Sequence, residues 1–342
     1  MTATRVLAQS LARSGLPALA RRVRRLQRQP GRAFVLMYHR VADTQGYVVD
    51  CVPLAAFDAQ LSLLRTRAQV VPLRRLVERL QKPEPLTEDL AAITFDDGYR
   101  DNLDVALPIL EQHGLPATVF VTTRFVDGSL RPLDERLFGA FETLWQHRTP
   151  PSGAASVRAN GTGRLVETAL ANPGSLATVR KLRAQLKREP PEATERLIRD
   201  LEELAGDSGP RRSMLDWDAV RALTERGVEI GSHTVSHAIV SALSPEAAAR
   251  ELRESKEHIE REIGQPVLGF AFPNGHRGDF AAEHVAMLKQ AGYAYACTAE
   301  WGANRPGGDP YRLRRIGVGA DSRALLDLKL AIADGAAHPC AA

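Results

Sequence analysis

Two carboxylates stand side by side in Thr94-Phe95-Asp96-Asp97-Gly98-Tyr99, and two imidazoles stand four residues apart in His233-Thr234-Val235-Ser236-His237. Two imidazoles and one carboxylate can hold a divalent metal, and the second carboxylate is then free to take a proton from water. Three protein ligands leave coordination positions open, as a catalytic metal requires. Histidines at i and i+4 project from one helical turn toward a shared point. Each motif has an ordinary reading of its own: Asp-Asp-Gly is common turn chemistry, and the histidines could be a half-exposed pair at a helix start. Their settings favour chemistry. Leu90–Phe95 is an apolar run that ends where the acids begin, and 227–232 is a β-like stretch that ends where the histidines begin. Catalytic groups gather at the C-terminal ends of barrel strands. Together the motifs point to a metal-dependent hydrolase.

The elements that must position these groups alternate. Residues 33–39 read as a buried first strand ending in His39, followed by a helix with Phe57, Leu61 and Leu64 on one face. A short strand over 70–73 leads to a helix through Arg79. The strand ending at Phe95 passes through the acidic turn to a helix carrying Leu103, Leu107 and Leu110. Strands over 117–121, 228–231, 267–272 and 293–298 follow, with helices over 246–263 and 280–291. Repeated βα units predict a parallel barrel or sheet with helices outside. Residues 126–212 break the rhythm. There 150–175 reads as loop, and two charged amphipathic helices, 176–187 and 192–204, flank Pro190-Pro191. This is a helical insertion, and a lid, a docking element and a surface excursion all fit it.

The chain has 342 residues, enough for a sizeable core, and a formal charge of +4. That charge is unevenly placed: residues 1–42 hold nine arginines and no acid. The basicity belongs to this segment, so no nucleic-acid partner is expected. No apolar h-region follows the arginines, so no export signal is expected. Leu7, Leu11, Leu19, Val23 and Leu26 recur at helical spacing, interrupted by Gly15 and Pro17. A basic amphipathic helix lying on an anionic membrane surface and a solvated helix packed on the barrel both fit; the Arg-rich start also resembles a transit peptide. No stretch is apolar enough to span a bilayer. Cys51, Cys297 and Cys340 form no CxxC and are odd in number, which points to free thiols and a cytoplasmic location, peripheral to the inner membrane face if the helix meets lipid.

In these motifs the chain resembles the polysaccharide deacetylases of carbohydrate esterase family 4, the NodB homology domain. Thr94–Gly98 is similar to that family's first motif, His233–His237 to its second, and Ala271-Phe272-Pro273-Asn274-Gly275 to its third. The resemblance covers roughly 33–125 and 213–318. It implies a distorted (β/α)7 TIM-like barrel, with 1–32 as a basic N-terminal segment, 33–125 and 213–325 as the barrel, 126–212 as the helical insertion and 326–342 as a C-terminal tail. It implies that Asp97, His233 and His237 bind a divalent metal, zinc first, with Co2+, Ni2+ or Mn2+ as alternatives. Asp96 would be the general base, with a backbone N–H near Gly98-Tyr99 on the oxyanion. Tyr99, Phe272, Pro273, Asn274 and Trp217 would shape the substrate groove.

The sequence departs from the family pattern at two places. Ala271 stands where the third motif often has an arginine that supports the base, and Arg277 is the candidate replacement. The usual C-terminal Leu-x-Leu-x-His is missing: 313–318 contains no His, and His338 lies in the tail. His39 resembles the strand-terminal histidine of permuted family members, whose last barrel strand comes first, and is assigned as the general acid. His113, His147, His258, His276 and His284 lack a partner pattern and read as structural or surface residues. The implied activity is removal of N-acetyl groups from an N-acetylated sugar in a polysaccharide or lipid-linked glycan. O-deacetylation or N-deformylation at the same site, and a non-catalytic glycan-binding barrel, remain the alternatives. The oligomeric state is left open.

Overall fold

The computed structural model describes residues 10–27, 29–43, 51–147, 163–186, 189, 191–206 and 213–334. The chain divides into two compact units, a barrel that contains residues 50–129 and 214–342 together with the N-terminal segment, and a unit containing residues 130–213.

Seven parallel strands build the barrel: β1 (Ala33–Tyr38), β2 (Leu90–Phe95), β3 (Thr118–Val121), β4 (Glu229–Ser232), β5 (Gly269–Ala271), β6 (Tyr295–Trp301) and β7 (Leu313–Gly317). They neighbour one another in chain order. Closure comes from β1, where Leu36 lies opposite Ile93 of β2 on one side and Ile316 of β7 on the other. The result is the (β/α)7 barrel expected. A two-residue strand, Gln69–Val70, pairs with the start of β2, so the strand expected over 70–73 ends early and Leu73 opens a helix.

Every residue of β2 is buried, as is normal where helices cover the outside and side chains fill the inside. Glycine matters at two strand positions. A Cβ on Gly231 of β4 would sit 2.3 Å from the Phe120 ring, and one on Gly269 of β5 would sit 2.6 Å from the Tyr295 ring. Large rings from neighbouring strands occupy the space the glycines leave.

The outer helices follow their sequence signals. Pro245–Ile263 is capped by the Ser244 hydroxyl accepting from the Ala247 N–H, has Pro at its first position and ends at left-handed Gly264. The supposed tail at 326–342 needs correction. Arg323–Ile332 is a helix capped by Ser322, and it buries Leu325, Leu326, Leu328 and Leu330. The boundary at 325 cut an apolar stripe that belongs to the barrel. Residues 335–342, with Cys340 and His338, lie outside the described residues. Cys297 is buried, and burial pushes its thiol up to about 12, so it stays neutral.

The second unit is helical: Leu133–His147, Gly163–Ala171, Leu176–Leu186 and Pro191–Ala205. Phe138, Phe141, Val166, Val179, Leu182, Ile198 and Leu201 give it a core of its own. Arg136 ties the first helix to the last through Glu195 at 2.6 Å and Glu202 at 2.7 Å. The loop expected over 150–175 is corrected from 163 onward. The Gly, Ser and Asn content hid a short helix whose Val166 and Ala169 face the core. No helix among the described residues is long and apolar enough to cross a membrane.

Candidate active site

Tyr38 of β1 pairs with Phe95 of β2, so His39 and Asp96 leave the two strands side by side. The Asp96 N–H donates to the Tyr38 carbonyl at 3.0 Å, which fixes the start of the acidic turn. Asp97 follows at φ 77°. Only four non-glycine residues among those described take positive φ, namely Asp97, Thr234, His237 and Asn274, and all lie in the three motifs. Left-handed backbone is uncommon outside glycine, and most so for a β-branched residue such as Thr234. Such conformations persist where the surroundings over-determine them, typically at functional sites.

The His233–His237 segment is not a helical turn, contrary to the expectation from its spacing. His233 follows β4 directly, and the chain then bends through Thr234 and His237, which turn both rings to one side. Glu251, on helix Pro245–Ile263, holds this loop. Its carboxylate accepts from the Val235 N–H at 2.8 Å, the Ser236 N–H at 2.9 Å and the Ser236 hydroxyl at 2.7 Å.

Three donor atoms converge. Asp97 Oδ1 lies 3.5 Å from His233 Nε2 and 3.2 Å from His237 Nε2, and the three ligand atoms all fall within 4.8 Å of one another. This Oδ1 is buried without a hydrogen-bond partner. His233 Nδ1 lies 2.7 Å from the Ala271 carbonyl, which can only accept; Nδ1 therefore carries a proton, and Nε2 is the nitrogen that faces Asp97. Phe125 stacks against His237 at 5.8 Å. Burial alone would raise the Asp97 carboxyl, but His237 and His233 beside it hold it well below the usual carboxylate range. An ionised oxygen and two imidazole nitrogens, one fixed by an outer hydrogen bond, suit a divalent metal such as zinc.

Asp96 points elsewhere. Arg315 of β7 grips it with both terminal nitrogens, Nη1 to Oδ1 at 2.7 Å and Nη2 to Oδ2 at 2.8 Å, while its Nε–H donates to the Thr298 carbonyl at 2.8 Å. The arginine is 1% exposed. Burial pushes the Asp96 carboxyl up, and the Arg315 guanidinium outweighs this and holds it below its ordinary value. His39 is half-buried at the end of β1, and a positive charge there would also favour the ionised form of both carboxyls. Arg277, the replacement suggested for the missing third-motif arginine, is exposed in the turn after β5 and does not support Asp96. Arg315 does. The signal was the second of two consecutive arginines, placed by the strand alternation on the face opposite its exposed neighbour Arg314, and no local pattern says which acid it meets.

The expected groove residues divide. Phe272 is 1% exposed and stacks on Phe280 at 4.2 Å, so its ring supports the turn from beneath and cannot line a groove. Pro273 is buried, Asn274 donates to Asp279 at 2.6 Å, and Gly275 closes the turn with its Cβ position 2.8 Å from the Ala299 nitrogen. Tyr99 is buried beneath the Arg40 guanidinium, 4.7 Å from its ring, so it is part of the wall's foundation. Trp217 donates to Asp127 Oδ1 at 2.7 Å and packs on His258 at 4.8 Å. His113 meets Asp58, and the buried His284 accepts from the Ala281 N–H, both structural roles.

The family model for polysaccharide deacetylases matches residues 84–296. That span includes both aspartates and both loop histidines but neither His39 nor Arg315. YxkH of Bacillus subtilis (strain 168), assigned by name to the polysaccharide deacetylases, is 20% identical over 291 residues, which cover 85% of this chain and 72% of YxkH. The solved Streptococcus pyogenes deacetylase PplD, in complex with acetate, aligns over 88% of this chain and 99% of its own, with TM-score 0.58 and 16% identity. A de-N-acetylase from Aggregatibacter actinomycetemcomitans aligns over 85% and 96%, with TM-score 0.55 and 17% identity. At these identities the two structures share the fold.

Proposed function

Because the chain belongs to the polysaccharide deacetylase family, we propose that it hydrolyses the N-acetyl group of an N-acetylated sugar in a polysaccharide or lipid-linked glycan. The observation that carries this reading is the partnerless Asp97 Oδ1 facing two imidazole nitrogens, beside a second carboxylate held ionised by Arg315. Asp97, His233 and His237 would hold a divalent metal, which when bound acidifies water and polarises a carbonyl.

The chain's own groups do the rest. Asp96, kept ionised and aimed by the guanidinium fork, accepts a proton from the attacking water. The water oxygen bonds to the acetamide carbon, the carbonyl π pair moves onto its oxygen, and that pair returns as the carbon–nitrogen bond breaks. His39 gives its proton to the departing nitrogen, because an amide anion is too poor a leaving group to depart unprotonated. Acetate and a free amino sugar result.

The test is acetate release from N-acetylhexosamine oligomers and lipid-linked saccharides by metal-loaded wild type and by Asp96→Asn. Loss of a general base should lower the rate by roughly 10²–10⁴-fold. No release from any acceptor by metal-loaded wild type, or an Asp96→Asn variant as active as wild type, defeats the assignment.

A further inference from the structure

Seven large apolar side chains stand exposed among the described residues, and five of them, Leu11, Leu16, Leu19, Val23 and Leu26, fall within residues 11–26. In the helix α1 (Leu16–Leu26) the last four recur at spacings of three, four and three, which aligns them in one stripe. A surface helix ordinarily turns such a stripe toward the core. Here the orientation is reversed. The helix lies against helix Arg323–Ile332, with Pro17 buried and Arg21 Nη1 2.7 Å from Asp327 Oδ1 on that helix. Arg67 grips the same carboxylate at 2.6 Å, and Ala12 is buried against Leu325 and Leu328. The leucines face outward, with Leu19 56% and Leu26 76% exposed.

The charge around the stripe indicates what covers it. Arg13 and Arg22 are exposed on this segment, and residues 1–42 contain nine arginines and no acid, while the rest of the chain is formally acidic. A second copy seated stripe to stripe would bring arginine against arginine, a costly juxtaposition. An anionic bilayer offers both complements, the acyl boundary for the leucines and head-group phosphates for the guanidinium groups. We propose that residues 11–26 are an interfacial anchor that seats the barrel on an anionic lipid surface, leucine stripe down. The anchor is reversible, since one short helix gives modest affinity. It rests on nothing in the active site, so it stands or falls independently of the deacetylase reading.

Flotation of the full-length protein with vesicles tests it, using phosphatidylcholine mixed with phosphatidylglycerol against phosphatidylcholine alone. Wild type should float with the anionic vesicles and release as salt rises. Leu19→Glu/Val23→Glu should lower partitioning by about tenfold or more, and Arg13→Glu/Arg22→Glu should lower it too. Because all four side chains are exposed, unchanged near-UV circular dichroism and melting temperature would show that the variants fold. Failure of wild type to float overturns the proposal, as does a leucine variant that floats equally well. A dimer that the leucine substitutions dissociate, with no vesicle binding, would assign the stripe to a second copy instead.

Discussion

Arg315 and Asp96 are both almost wholly buried, and each is the other's bidentate partner. Removing one side of such a pair leaves a lone charge in a low-dielectric interior. Arg315→Met should therefore destabilise the fold by about 3–5 kcal/mol, read from urea unfolding. Adding Asp96→Asn to that variant should recover part of the loss, because no unpaired carboxylate remains. Arg315→Lys should recover less activity than its charge alone would suggest, since an ammonium lacks the planar fork that fixes both oxygens. Asp96, Asp97, His233 and His237 were legible because they are close neighbours in their motifs. Arg315 was not legible as their partner, since 218 residues separate it from Asp97 and only barrel closure brings β7 to them.

The loop after β4 carries two of the three donors without regular secondary structure to stiffen it. Its rigidity comes from the Glu251 carboxylate, which accepts from two consecutive backbone N–H groups and a hydroxyl. Glu251→Ala leaves those donors unsatisfied and lets His237 swing. Metal affinity should fall by about 10–100-fold, measured by competition against a chromogenic chelator, with little change in the secondary-structure spectrum. Glu251→Gln, which keeps one accepting oxygen, should lie between the two; affinity equal to wild type in the alanine variant would remove Glu251 from this role. The histidine spacing was readable, but the conformation that makes it converge was not. A four-residue interval suggests a helix, and here left-handed Thr234 and His237, flanking the Val235-Ser236 pair that Glu251 holds, achieve the same convergence.

Closure of the barrel depends on its first strand. β1 pairs with β2 along all six residues and with β7 at Leu36 and Met37. A chain starting at residue 43 would lose both β1 and His39, exposing two strand edges. It should fail to fold cooperatively in a thermal melt. A chain starting at residue 29 keeps β1 and the salt bridges of Arg32 to Asp89 and Asp334. It should fold and should retain acetate release on soluble acceptors. Loss of folding in the second truncation would show that helix Leu16–Leu26 is part of the core.

The division between what the sequence determined and what the tertiary structure decided follows the range of the forces involved. Alternating apolar runs and caps specify βα units through local hydrogen bonding and burial, and two compact motifs specify a metal-type donor set through neighbours in the chain. These were readable directly. The partner of Asp96, the buried fate of Phe272, the short helix at Gly163–Ala171, the helix at Arg323–Ile332 and the outward face of the leucine stripe were decided later. Each depends on which distant surfaces meet when β1 closes between β2 and β7 or when the helical unit forms its own core. Hydrophobic burial has no direction along the chain, so a local pattern can show that a face is apolar without showing what it will meet.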